Sequence, residues 1–492
     1  MAAPPGPEAD DVSRALDGPV ARPMARNATA ITGARVLSTV LHFGAFALIA
    51  GHLGPARMGD YVFALAIPDL VGPLVDFGFQ STVTRDVAQD PAEERALVPN
   101  LFYMRLVLGL IVYAVAVGVL SGAGYAAIQR DAGLVAGLLI LVTAAESFQV
   151  TLEVRLRLGF VAVGDLAEAV ALAAGVVVLS RVGAGVLAFV WLYVAVNCLN
   201  IGIVAVRALA LRRFRWRPRP HTWAGVARVA APLGAAALVT GLYYRMNVLI
   251  LARTHASSAV GEYGAGYRFV DTVGVFPGLL MAVLGPVLAR SLVAGPDRLR
   301  RRYSQLVHLI SVPAALVAVM GPMTAWRALP AVHSFSQYKG AGTVLAVLSP
   351  AASFILIGTV LAGVLFSAHQ QRLILAVALA VLAVNAALDF GLILPFSYIG
   401  AAAATSAGEA VSAVALAVAV RRRLGIPWPM RRLRQVLAAS GLTAAALAVG
   451  YLLPPFAQIA LGLAVFAWAL KATGALTADD VAVLLRRPES AA

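Results

Sequence analysis

Residues 59–89 read GDYVFALAIPDLVGPLVDFGFQSTVTRDVAQ. Most of this stretch suits hydrocarbon, yet it holds Asp69 and Asp76. A charge at the centre of a membrane helix costs about 2.5–3.5 kcal/mol on insertion scales, so such a group faces protein or water. Whether the stretch lies in a membrane is decided by the whole chain. Hydrophobic residues make up 60% of the 492 and charged residues 13%, with a mean hydropathy of +0.84. A soluble domain carries about 25% charged residues. Apolar runs of about 20 residues recur, each long enough for about 30 Å of hydrocarbon. The runs are uninterrupted rather than alternating, which selects helices over a barrel.

The expected fold is therefore all-α and polytopic, with about fourteen transmembrane helices. The first half supplies spans at 29–53, 60–82, 100–120, 133–152, 160–180 and 184–206. The second supplies 227–251, 260–289, 303–326, 343–367, 373–395 and 398–420. Two more lie at 433–453 and 456–471. The organisation read from these is a disordered cytoplasmic tail at 1–28, an N-lobe at 29–206 and an Arg-rich linker at 207–226. A C-lobe at 227–423, two further spans within 424–471 and a cytoplasmic tail at 472–492 follow. Arginines concentrate in alternate loops such as EVRLRLG, RALALRRFRWRPRPHTW and RRRLGIPWPMRRLR. The positive-inside rule then puts both termini in the cytoplasm. The same rule accounts for the net charge of +15, without nucleic acid as a partner. The linker reads equally as a segment lying on the anionic leaflet and as a topology anchor. The single Cys198 leaves no intramolecular disulfide, and no His or acidic cluster has metal-ligand spacing.

An internal repeat explains Asp69. Shifted by 202 positions, GDYVFALAIPD (59–69) falls on GEYGAGYRFVD (261–271), pairing Gly59 with Gly261, Tyr61 with Tyr263 and Asp69 with Asp271. Both segments open a second span of six, so the halves are expected to be parallel repeats around an axis along the membrane normal. Ligand sites in such folds lie between the repeats near the midplane. Two acids would then face a central cavity, one from each lobe. Asp76 lies nearer the cytoplasmic end and is expected to pair with an arginine or hold the helix end.

The other intramembrane ionisable groups are Arg35, Arg105, Glu146, Asp165, Glu168, Arg245, Arg268, Asp389 and Glu409. Arg245 sits in LVTGLYYRMNVLILA, too deep to snorkel to either surface. Arg268 and Asp271 share a helix face three residues apart. Arg245, Arg268, Asp271, Asp69 and Arg35 are the candidate cavity residues for an anionic ligand. Asp69, Asp271 and Glu409 are the candidates for a coupling ion. Glu146, Asp165 and Glu168 read as packing groups, and His42 and His308 as hydrogen-bonded structural histidines. Interhelical ion pairs that only fix packing are the competing reading of the charged set.

Three stretches carry a family resemblance: 54–88, 243–290 and 384–410, the last including GAAAATSAGEA. The chain resembles polysaccharide flippases of the multidrug/oligosaccharidyl-lipid/polysaccharide (MOP) exporter superfamily over residues 29–425. The resemblance implies two six-helix lobes around a central cavity, alternating access, and a lipid-linked oligosaccharide whose pyrophosphate meets cationic residues. Carried over by position, Arg245 is a head-group contact, with Arg268 and Asp271 on the neighbouring wall. Where such relatives often have Asp, this chain has Asn247, which weakens a coupling cation there. The expected protein is a monomeric, non-enzymatic flippase of the inner membrane with no cofactor. Its partners would be lipid-linked oligosaccharide, membrane lipids and polysaccharide-assembly proteins. A cation-coupled multidrug exporter of the same fold is the alternative. A membrane glycosyltransferase or ligase is disfavoured by short outer loops, and a non-transporting scaffold is not excluded by any residue.

Overall fold

A computed structural model describes residues 21–155, 157–273, 296–368 and 370–476. Hydrocarbon offers backbone groups no water, so the apolar runs satisfy them within helices, and no strand occurs among the described residues. Eleven continuous helical stretches there are long and apolar enough to cross a membrane. Two of these merge expected neighbours. Ala21–Asp76 is broken only at Gly54, whose φ of 70° turns the chain between α1 (21–53) and α2 (55–76). Gln371–Leu424 is broken only at Ser397, between α14 (371–396) and α15 (398–424). Their turns need a single non-helical residue because Gly54 and Ser397 each take the left-handed region, which reverses direction quickly.

The first half continues with α3 (Phe79–Gln89), α4 (Glu94–Gly122) and α5 (Ala127–Gly137). Then come α6 (Leu139–Val142), a 3₁₀ turn at Thr143–Phe148 and α7 (Gln149–Val154). It closes with α8 (Gly159–Arg181) and α9 (Val186–Leu211). The second half holds α10 (Pro220–Thr254), α11 (257–273), α12 (Pro296–Ala331) and α13 (Ala341–Ser367), followed by α14 and α15. Last are α16 (Met430–Val449) and α17 (Pro455–Ala472), which pack on α12. Arg327 of α12 holds them there by donating to the carbonyls of Tyr451 and Leu453 and to Gln458.

Several expected boundaries change. Residues 21–28, expected as tail, are helical, while 1–20 and 477–492 lie outside the described residues. The eighth span, expected at 260–289, is described only to residue 273. The second span, expected to run to residue 82, stops at Asp76, because Phe77 (φ 44°) and Gly78 (φ 72°) turn left-handed before α3 begins. The fourth span is not one α-helix. Its 3₁₀ turn points the Thr143 carbonyl at Arg105, whose Nη1 donates to it at 3.4 Å. Arg105 is buried and also pairs with Asp76 at 2.5 Å and Glu146 at 3.9 Å.

The linker shortens to 212–219, since 207–211 belong to α9 and 220–226 to α10. It docks on the first half. Arg215 N–H donates to the Arg95 carbonyl, and the buried Glu94 carboxylate holds Arg212 and Arg155. Asn100 of α4 fastens the start of α10. It accepts from Arg219 N–H at 3.0 Å and Trp223 Nε1 at 2.8 Å, and donates to Thr222 at 3.0 Å. Asn100→Ala leaves those two donors without their acceptor, which should cost about 1–3 kcal/mol. A lower thermal midpoint in detergent checks this, and an unchanged midpoint would show that water replaces the amide.

Candidate functional site, a charged cavity between the two halves

α2 crosses the molecule between the halves and meets α11 and α10 at its two ends. At the outer end, as the expected topology orients it, contact is backbone to backbone. A Cβ on Gly59 would fall 1.7 Å from the Ser257 carbonyl oxygen, and one on Gly261 would fall 2.0 Å from that of Pro55. Pro55 and Ser257 are themselves 202 positions apart, so each half makes the other's contact around one pseudo-twofold axis. Tyr338 seals the same end by donating to the Ala50 carbonyl at 2.9 Å. At the inner end, Gly234 of α10 gives room to Phe77, whose ring and carbonyl lie 2.6–2.7 Å from where a Cβ would be.

Between these contacts lies a cavity of about 180 Å³. α2 lines it with Tyr61, Val62, Leu65, Ala66 and Asp69, and α11 with Tyr263, Gly264, Tyr267, Arg268 and Asp271. The spacing i, i+4, i+8 puts each set on one helix face. All five positions are repeat-related pairs at the shift of 202. The repeat thus builds the chamber, and its departures set the chemistry. Tyr61/Tyr263 and Asp69/Asp271 match, but Leu65 becomes Tyr267 and Ala66 becomes Arg268. α1 adds His42, Phe46 and Ile49, and α10 adds Arg245 and Val248. Both arginines come from the second half, while the acids come from both.

Arg245 is paired across the interface with Asp69 at 2.9 Å. The pair is not sealed away: the two side chains are 25% and 46% exposed, into the cavity. Arg245 also lies 6.0 Å from the Tyr267 ring centroid, and Arg268 lies 5.2 Å from that of Phe46. The expected cationic cavity is therefore charge-balanced, with two arginines against two aspartates.

The fold recurs in solved transporters. The chain superposes on the lipid II flippase MurJ, in an inward closed conformation, with a TM-score of 0.76 at 12% identity, covering 93% of this chain and all of that one. It superposes on the Vibrio cholerae MATE transporter VcmN with a TM-score of 0.56 at 14% identity, covering 82% and 98%. For a MOP superfamily transporter from Pyrococcus furiosus the values are 0.55 and 13%, over 84% and 98%. No curated protein matches by sequence. The family described as polysaccharide biosynthesis proteins matches residues 24–292, more than half of the chain. The chain belongs to the polysaccharide biosynthesis protein family. It is a multi-pass membrane protein.

In this member of the polysaccharide biosynthesis family, four of the expected cavity residues converge: Arg245, Arg268, Asp271 and Asp69. Arg35 does not. It is exposed on α1, near Asp165, and does not line the cavity. Glu409 of α15 also lies off the cavity, facing Tyr243 and Tyr244. Asn247 is buried, with its amide on Tyr263 at 2.6 Å and Thr405 at 3.2 Å, so it ties α10 to α11 and α15 rather than facing the cavity. Asp76 holds Arg105 and accepts the Gln80 N–H at 3.2 Å, as a helix-end residue does. Glu168 binds Asn200 at 2.8 Å and lies 3.6 Å from His42. His42 is hydrogen-bonded as expected, its Nδ1 on the Ser38 carbonyl at 2.7 Å, and it also lines the cavity wall. Tyr193 and Tyr267 also line it. For Tyr61 and Tyr263 the signal was present in the matched GDY and GEY, whereas Tyr193 and Tyr267 have no repeat partner of the same type.

Proposed function

We propose that this protein is a flippase that carries a lipid-linked (polyprenyl-pyrophosphate) oligosaccharide or polysaccharide precursor across the inner membrane by alternating access. The observation that carries the proposal is Arg245, paired with Asp69 at 2.9 Å and open to a central chamber. A polar anionic head cannot cross hydrocarbon unaided. A wet chamber with guanidinium groups replaces its hydration, and Arg suits phosphate because its planar fork donates two bonds at once. The polyprenyl tail stays in lipid. Alternating access opens one end of the chamber at a time to admit and release the sugar. Transport then needs no chemistry, only unequal binding in the two access states. Both termini lie in the cytoplasm in this reading, as the arginine distribution requires.

Native mass spectrometry of the purified protein tests the head-group assignment. Polyprenyl pyrophosphate should bind, polyprenol should not, and Arg245→Glu should lose the complex. Asp69→Asn should tighten the same complex roughly two- to fivefold, the worth of a partly solvated ion pair. Equal binding of polyprenol would remove the proposal. Transport of a lipophilic cationic dye by proteoliposomes would instead favour the drug-exporter reading, for which the two cavity aspartates would be the binding groups.

A further inference from the structure

The two halves differ in what surrounds their arginines on the face that the expected topology makes cytoplasmic. In the first half acids answer them. Arg85 meets Asp86, Arg155 and Arg212 share Glu94, and Arg219 meets Glu93. In the second half the acids are missing. From Arg298 to Lys471 the chain holds only Asp389 and Glu409 as acidic residues, and both are buried. Arg300, Arg301, Arg421, Arg422, Arg423 and Arg434 are exposed. They make no ion pair among the described residues.

The fold gathers these groups from three separate stretches: the start of α12, the last turn of α15 and the start of α16. Arg300 Nη2 donates to the Gly425 carbonyl at 3.2 Å, which ties the α15–α16 connection to α12. Beneath that bond, Leu299 and Tyr303 of α12 share a core cluster with Ile426 and Trp428 of the connection. Further along, Val312 and Ala315 of α12 pack with Val436 and Ala439 of α16. The arginines therefore form one surface rather than three loose ends.

Topology alone does not call for such a surface. The positive-inside rule counts basic residues near span ends and is largely indifferent to nearby acids, so the first half satisfies it with its arginines paired. The helix dipole favours Arg421, Arg422 and Arg423 at the end of α15, but it disfavours Arg300, Arg301 and Arg434 in the first two turns of α12 and α16. Guanidinium groups held together without counter-charge repel one another, and an anion that bridges them removes the repulsion. The depth of the surface selects the anion. Arg421 directly follows the apolar run that ends at Val420, and Arg434 lies just before the run that resumes at Val436. Groups at the edge of the hydrocarbon stand level with lipid headgroups and meet them before any soluble partner. We propose that this face of the second half is a docking surface for anionic phospholipid of the cytoplasmic leaflet, whose phosphates bridge the arginines of α12, α15 and α16. The planar fork of arginine suits a phosphate. None of these residues lines the central cavity, and the inference does not rest on the transport proposed above.

Native mass spectrometry of the full-length protein, released from nanodiscs of mixed phosphatidylglycerol and phosphatidylcholine, tests this by counting the lipids each variant retains. The wild type should keep phosphatidylglycerol in preference to phosphatidylcholine, and less of it as salt rises. Replacing Arg421, Arg422 and Arg423 together with Gln should weaken that retention roughly ten- to a hundredfold. Arg300→Gln with Arg301→Gln should lower the same adduct, because the fold sets these groups beside the end of α15. Replacing the exposed linker residues Arg213, Arg215 and Arg217 with Gln removes as many charges beside Glu93 and Glu94 and should leave retention nearly unchanged. Arg245→Glu in the cavity should leave it unchanged too. Equal retention of the two lipids, equal loss in the linker and α15 variants, or loss with Arg245→Glu would overturn the proposal. Full retention in the α15 variant would also overturn it, and binding of a polyglutamate peptide in the lipid's place would give the face to an acidic protein.

Discussion

Arg245→Glu should abolish surface polymer in a strain lacking its own copy of the gene, while the protein still reaches the membrane in normal amount. The substitution sets a third carboxylate beside Asp69 and Asp271, which already share the cavity with it. A hydrogen bond to a charged group contributes about 1.5–3 kcal/mol, so an anionic head should lose roughly ten- to a hundredfold in occupancy. Arg245→Lys separates charge from geometry. It keeps the cation but loses the fork, and partial polymer is the expected result. Immunoblots of the membrane fraction and polymer staining check both. Full polymer with Arg245→Glu would mean that the guanidinium only fixes packing.

Gly261→Leu should wedge the outer seal open. Its Cβ meets the Pro55 carbonyl oxygen at 2.0 Å, which is backbone and has no flexible end to swing aside. α11 and α2 must therefore separate. Gly59→Leu should do the same, because its Cβ meets the repeat-related Ser257 oxygen at 1.7 Å. Gly234→Leu should instead drive Phe77 away and open the inner end. With Cys198→Ser as background, Ala66→Cys reports on the cavity. A membrane-impermeant maleimide should label it from outside in Gly261→Leu and Gly59→Leu, and only from inside in Gly234→Leu. Large differences are expected, since a locked seal stops cycling and not merely binding. Equal labelling from both sides in all three would show that the glycines do not form the gates.

The parts of this site that the sequence reveals are those written in local patterns. The shift of 202 sets Asp69 on Asp271 and Tyr61 on Tyr263, and helical spacing then puts each set on one face. Those pairs line one cavity. The depth of Arg245 within its apolar run was equally legible. Partners across helices were not. Asp69 and Arg245 are 176 positions apart, and periodicity says which face a residue occupies, not which helix that face meets. Arg35 shows the same gap: its place in a span suggests the cavity, but its face turns outward. Glu409 reads as an intramembrane acid like Asp271, yet it faces the other side of α10. The breaks at Phe77–Gly78 and at Thr143–Phe148 depend on what the bent chain touches, Gly234 and Arg105, and those contacts lie far along the sequence.

The most direct measurement is head-group transfer in proteoliposomes containing the purified protein and a polyprenyl-pyrophosphate oligosaccharide labelled on its sugar. The wild type should bring the inner-leaflet label within reach of an external sugar-modifying reagent many times faster than protein-free vesicles, and Arg245→Glu should match the protein-free rate. A wild type no faster than empty vesicles, or an Arg245→Glu variant as fast as the wild type, would contradict the account.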